Sequence, residues 1–186
     1  MTNNVVDMHQ RKAGGMGPRD GWTNAVLVHL FKRFPWLASR WARRHPFIEG
    51  HDIPWTPLSK PVAESVIALV TTAGVHLKSQ EPFDMEDPDG DPSFRAIPTD
   101  VPRADLTITL KYYDHSAADR DINVVLPLDR ARELAAEGRI GGLAPFAYGF
   151  MGHIDGRHLT TLMERTAPKM ARCLKQDRAG AVVLTP

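Results

Sequence analysis

Val66-Ile67-Ala68-Leu69-Val70-Thr71-Thr72-Ala73-Gly74-Val75-His76-Leu77 decides the fold. Five apolar residues run without a polar break, the pattern of a strand covered on both faces rather than on one. The run stops in Thr71-Thr72-Ala73-Gly74, and glycine opens the left-handed backbone region that a sharp turn uses. The two threonine hydroxyls and His76 then arrive just past the strand's carboxyl end, the edge at which open α/β sheets bind ligands. The same residues also suit a buried strand followed by an ordinary turn, since threonine is common in both. The edge rule locates a site without identifying one.

Downstream of this strand, residues 78–95 carry six carboxylates, Glu81, Asp84, Glu86, Asp87, Asp89 and Asp91, between prolines 82, 88 and 92. Clustered oxygens suit a hard cation, but the spacing is not that of an EF-hand, and a long proline-stiffened loop over the strand ends fits better. Arg95 either holds an anionic group or pairs with one of these carboxylates. Residues 104–110 alternate apolar and polar as a half-buried strand does and lead into Lys111, Tyr112, Tyr113, Asp114 and His115. Val124-Val125-Leu126 precedes Asp129, a good N-cap, then a helix over 130–137 with Leu134 and Ala135 inward, closed by Gly138. Residues 140–145 predict a short strand and turn. In residues 146–153, Gly149 and Gly152 leave backbone N–H groups accessible beside aromatics that can wall a pocket, or form a tight packed turn. Leu159, Leu162, Met163, Met170, Ala171 and Leu174 recur at helical spacing. Pro168 predicts a split there, with Thr166 capping the second piece. Ala181-Val182-Val183-Leu184-Thr185 repeats the first strand's character and predicts a second buried strand.

Upstream, residues 1–61 differ from 62–186. A polar tail over 1–21 precedes a Trp- and Arg-rich stretch over 22–44, where Pro35 should divide two short helices. Arg40, Arg43 and Arg44 beside Trp36 and Trp41 form a basic aromatic patch of a kind that docks on a partner subunit, a membrane surface or nucleic acid; the favoured reading is a solvated basic face with aromatic anchors in the core, and a proline-rich arm over 45–61 leads into the main domain. The predicted fold is α/β: a three-layer Rossmann-like domain with a mainly parallel sheet over 62–186, plus an N-terminal helical extension.

Hydrophobic residues make up 42% of the 186, charged residues 24%, and the net charge is +1. That balance is ordinary for a globular protein and gives no reason to expect nucleic acid or an anionic membrane as partner. No apolar run reaches the ~20 residues of a membrane helix, and residues 1–10 lack a secretory apolar core; a cytoplasmic location is the expectation. The single cysteine, Cys173, excludes a Cys-x-x-Cys site within these residues. It lies on a helical stripe with no activating neighbour in sequence and is expected to pack. His76, His115 and His153, with Asp114, are candidate acid/base groups or metal ligands. No His-x-His or His-Glu-x-x-His spacing supports a metal, and His with a nearby carboxylate is also a common structural pair; no metal and no bound cofactor is predicted. The candidate pocket residues are therefore Thr71, Thr72, Gly74, His76, Asp114, His115, Gly149, Gly152 and His153, by their placement at strand ends.

Several motifs in order also carry a resemblance. Residues 68–78, Pro82-Phe83-Asp84, Gly90 through Arg95 with Ile97-Pro98, and Asp105-Leu106-Thr107-Ile108 are among them. So are Tyr113-Asp114, Asn123-Val124-Val125 with Pro127-Leu128-Asp129, and residues 134–138. Residues 140–145, Phe150-Met151-Gly152 and Val183-Leu184-Thr185-Pro186 complete the series. Over about residues 64–186 the chain resembles the selenoprotein B family of glycine, sarcosine, betaine and D-proline reductases; Lys111-Tyr112 departs from the His/Asp-rich form expected there. The resemblance implies reductive carbon–nitrogen cleavage of an amino-acid-like or betaine-like substrate by a selenolate or thiolate. It also implies a dithiol electron donor and partner reductase subunits. The family's Sec/Cys motif follows the Leu-Thr-Pro strand, so the resemblance implies that the nucleophile lies beyond Pro186 and that a UGA codon read as stop ends the chain. Cys173 does not correspond to it. The alternatives are a non-catalytic binding module of the same fold and a metal- or His-dependent lyase using His76, Asp114, His115 and His153.

Overall fold

The computed structural model describes residues 26, 29–31, 33–43, 56–110 and 113–186. The polar tail, Arg44, the arm as far as Trp55 and the Lys111-Tyr112 step lie outside the described residues. The chain divides into two units, Met1–Gly50 and His51–Pro186.

In the first unit, Val26, His29–Phe31 and Arg33 are helical, Phe34 is not, and helix α1 spans Pro35–Ala42. Pro35 starts this helix because its missing N–H costs nothing at the first position, so the predicted break falls where proline dictates. Trp36 is 62% exposed. That corrects its assignment as a core anchor.

The second unit is built on β1 (Val66–Thr71), buried from Ile67 onward. A three-residue turn returns the chain as β2 (Val75–Leu77). Gly74 takes φ +73° there, and a Cβ would stand 2.9 Å from both the Leu110 Cβ and the Thr109 carbonyl. The turn therefore requires glycine on two counts. Then follow β3 (Phe94–Pro98), β4 (Leu106–Ile108), α2 (Ser116–Arg120), α3 (Leu128–Ala136), β5 (Gly142–Leu143) and β6 (Phe146–Phe150). α4 (His158–Thr161) runs through a π turn (Leu162–Thr166) into α5 (Ala167–Gln176), and β7 (Ala181–Thr185) follows.

The main sheet is mostly parallel. β1 pairs with β7 on one side and, on the other, with β5 and then β6. β3 closes the far edge antiparallel to β6. β2 and β4 form a separate antiparallel pair, so only part of the alternating run over 104–110 is strand, and it joins the second sheet. Helices lie on both faces of the main sheet. Ile67 and Leu69 pack with Val125, Leu126, Leu128 and Ala131 on one face. Val70, Tyr148 and Phe150 pack with Leu162, Met170, Cys173 and Leu174 on the other. This alternation of β1 side chains between two helical layers is the three-layer α/β arrangement, and it explains why β1 carries no polar residue before Thr71 at its carboxyl end.

Several local expectations are corrected. α3 begins at Leu128 with Pro127 in the N-cap position and no side-chain cap there; the Asn123 side-chain oxygen instead accepts from the Asp129 amide at 3.0 Å, and Asp129 is inside the helix. Leu134 faces solvent, and Leu128, Ala131 and Ala135 make the inner face. Gly138 does close the helix, at φ +68° with its amide on Ala135. Residues 158–176 are one continuous helix. Pro168 lacks the N–H that an α-helix would use, and the backbone widens into the π turn just before it. Thr166 makes no cap; its hydroxyl donates back to Leu162 O at 3.4 Å. Met163 and Ala171 face outward. Among the described residues β7 is an edge strand, with Val182, Val183 and Leu184 exposed at 39, 43 and 74%, which corrects the expectation of a second buried strand.

Candidate functional site

β1, β6 and β7 run parallel, so their carboxyl ends share one edge. Thr71 pairs with Gly149 on β6 and with Thr185 on β7. Its buried hydroxyl donates to the Pro186 carbonyl at 3.3 Å and accepts from the Ala73 amide at 3.2 Å. Thr72 is exposed, and its amide donates to the Thr185 carbonyl at 3.0 Å. The Thr185 hydroxyl donates to the Val125 carbonyl at 2.6 Å. From above, the Tyr113 hydroxyl donates to the Ala73 carbonyl at 3.4 Å. Burial and then the negative charge of Asp119 push the Tyr113 phenol above its ordinary value, so it remains a proton donor at neutral pH.

The glycines serve close packing. A Cβ on Gly149 would stand 2.1 Å from the Val75 carbonyl oxygen, and one on Gly152 2.7 Å from that of Thr72. They let β6 and the turn after it touch the 72–75 backbone, which holds this edge rigid. Gly149 is buried in the strand.

The histidines are not brought together here. His76 sits in β2 and is 3% exposed. Its Nδ1–H donates to the Leu77 carbonyl at 2.8 Å, and Nε2 lies 2.7 Å from the Thr109 hydroxyl. A carbonyl can only accept, so Nδ1 carries a proton, and in the neutral ring Nε2 is then the acceptor for the Thr109 hydroxyl. Phe83 packs edge-on against the ring. Asp114 accepts from the Ser116 amide at 3.2 Å at the start of α2, and His115 pairs with Asp119 at 2.8 Å one turn on. His153 Nε2 donates to the Pro88 carbonyl at 2.8 Å. Among the described residues no group of three His, Cys, Asp or Glu side chains is arranged to hold a metal ion, and no helix is long and apolar enough to cross a membrane.

The acidic loop is tied down at two places. Arg95 bonds the Glu81 and Pro82 carbonyls at 2.8 and 3.1 Å, reaches Asp91 at 3.5 Å and stacks on Phe83. Burial raises the Asp91 carboxyl, but the Ser93 hydroxyl and amide, the Asp84 amide and Arg95 outweigh it, and the net shift is downward. Asp87 receives His158 Nε2–H at 2.9 Å and Arg157. His158 first, then the Asp89 amide and Arg157, hold the Asp87 carboxyl well below the usual range. Gly90 bridges to Ile154, and a Cβ there would overlap the His153 carbonyl. Sequence reasoning finds Arg95 from its carboxylate neighbours. It misses the Asp87–His158 pair, whose members are separated by half the second unit, and the part-buried Tyr148–Asp177 hydrogen bond of 2.6 Å. No short-range pattern marks either.

The family described as glycine/sarcosine/betaine reductase selenoprotein B matches residues 41–186. The chain belongs to that family. The match starts upstream of residue 64, where the recognisable motifs begin. The chain is 42% identical to D-proline reductase subunit gamma of Acetoanaerobium sticklandii over 131 residues, 70% of this chain and 52% of the relative. It is 29% identical over 165 residues to glycine reductase complex component B subunit gamma of Symbiobacterium thermophilum, 86% of this chain and 36% of the relative. The protein of the same name from Carboxydothermus hydrogenoformans is 30% identical over 137 residues, covering 72% and 30%. The chain thus spans about half the length of the first relative and about a third of the other two. No solved structure matches at the same level of significance.

Proposed function

We propose that this chain is the strand-edge half of a reductase component that cleaves a carbon–nitrogen bond in a small amino-acid-like or betaine-like substrate. In the reaction a dithiol is oxidised to a disulfide. Its two electrons and two protons convert the C–N bond into C–H and N–H. The nucleophile is a selenolate or thiolate supplied by sequence following Pro186, and the chain works with partner subunits. The observation that carries this reading is the family match across residues 41–186. The relatives' names supply the reaction class and the subunit character. The strand-edge geometry supports it as well. Thr71 holds the Pro186 carbonyl beside Thr72, so a segment continuing from β7 enters next to Thr72, Gly152 and Tyr113. In this role Thr72 and Tyr113 contribute hydroxyls, while Thr71, Gly74, Gly149 and Gly152 fix the backbone they stand on. His76, with both ring nitrogens occupied, orders the turn. Cys173 packs against the face of the sheet with Val70, Tyr148 and Phe150.

The test is the genomic codon after Pro186 and the frame beyond it. A UGA followed by further α/β sequence is the expected result; UAA, UAG or an unrelated continuation removes the proposal. The continued protein, with Cys at the UGA position, should then show dithiol-dependent cleavage of glycine, sarcosine, betaine or D-proline. Inactivity on all four points to a non-catalytic binding module instead.

A further inference from the structure

We infer that β7 is an interior strand in the full-length protein, and that its free edge receives a further parallel strand from the polypeptide following Pro186. This rests on the proposed function only in placing that polypeptide in the same chain.

The first observation is backbone direction. Thr72 N–H donates to the Thr185 carbonyl, in register with the Thr71–Thr185 pair. Backbone groups of alternate strand residues point to opposite sides. Ala181, Val183 and Thr185 therefore face β1, while Val182 and Leu184 present N–H and C=O groups to the free side. Among the described residues no strand pairs there.

The second observation is side-chain chemistry. β7 contains no charge, no proline and no glycine. Solvent-facing edge strands are normally guarded by lysine, proline or a bulge, and β7 has none. Its register places Val183 beside Leu69, on the face of the α3 layer, and Val182 and Leu184 beside Ala68 and Val70, on the face of the α5 layer. Both faces are exposed at once, so both helical layers stop short of this strand. An isolated peptide strand covers the edge but neither face. The occupant that fits is a strand with its own helical crossover, because a parallel neighbour needs a connection of about a dozen residues or more, usually a helix.

The third observation is length. The chain spans 52% of the D-proline reductase subunit it matches, which leaves in that relative about as much polypeptide again, ample for strand–helix units. The apolar character of β7 thus matches an interior parallel strand, and the exposed state reflects the half of the fold present here.

Hydrogen exchange tests this on the 186-residue chain and on the continued protein with Cys at the UGA position. The Val182 and Leu184 amides should exchange at least 100-fold more slowly in the continued protein. Leu184→Pro removes one outward-facing donor and none directed at β1, a change that edge strands tolerate. It should leave the unfolding midpoint of the 186-residue chain nearly unchanged and abolish the added protection in the continued protein. Equal exchange in both proteins overturns the inference. So does a homodimer of the 186-residue chain that already protects Leu184 and dissociates in Leu184→Pro, since a second copy would then own the edge. Protection without reductase activity leaves this inference standing and removes the functional one; activity without protection does the reverse.

Discussion

β1 and β7 are nearly the same strand in sequence and opposite in environment. Val66–Thr71 and Ala181–Thr185 are both apolar runs ending in threonine, paired residue for residue. Yet Leu69 is buried, while its register partner Val183 is nearly half exposed. The difference lies in what flanks them. β1 has a strand on each side and a helix layer on each face; β7 has one strand. Sequence pattern records the environment a strand is suited to, and neighbours decide whether it is reached.

The sharpest way to break this comparison is a matched pair of truncations. Leu69→Ala should cost about 2–5 kcal/mol, as deletions in closed cores do. Val183→Ala should cost less than about 1 kcal/mol in the 186-residue chain, because surface changes remove little burial. Urea midpoints decide it, and equal costs would mean that β7 is covered in solution. Next, Gly149→Ala drives a methyl group into the Val75 carbonyl and should destabilise by about 1–3 kcal/mol, the usual cost of overpacking; an unchanged midpoint would show that the close approach of β6 to the 72–75 backbone is not rigid. The smallest effect concerns the acidic loop, far from either strand's pairing. Asp87 and Asp91 are held below the ordinary carboxylate value. A depressed folded-state value stabilises fully above the unfolded value of ~4 and is lost as pH falls through the folded one. Wild type should therefore lose stability between about pH 5 and about pH 2.5, and Asp87→Asn should lose less over that interval. Identical pH profiles would show that the His158 contact contributes nothing.

Much of the fold was legible because it depends on local chemistry. β1 declares itself by its unbroken apolar run, Gly74 and Gly138 by the backbone conformations they permit, and α1 by Pro35. The start of α3 was not legible. Asp129 is the capping type, but the helix starts one residue before it, and Asn123 reaches the Asp129 amide from six residues away; only the folded loop places it there. The candidate site was legible as an edge and not as a constellation. Thr71, Thr72, Gly149 and Gly152 meet there because parallel strands align their ends. His76, His115 and His153 share the same sequence logic but turn to three separate tasks, in β2, at the start of α2 and under the acidic loop. Residue type gives a histidine's abilities; its partners give its occupation, and those partners lie up to 65 residues away.

The π turn at Leu162–Thr166 has a consequence for helix phase. A π turn takes up one residue more than an α turn, and each residue advances an α-helix by about 100°. Counted as a regular helix, Met170 and Leu174 stand about 80° and about 120° around the axis from Leu162, a spread as wide as a whole apolar stripe. Subtracting the extra residue brings Met170 and Leu174 to about 20° on either side of Leu162, and all three pack against Val70, Tyr148 and Phe150. The widened turn works as a vernier: it rotates the second half of the helix into step with the first, so that one face serves the sheet along its whole length.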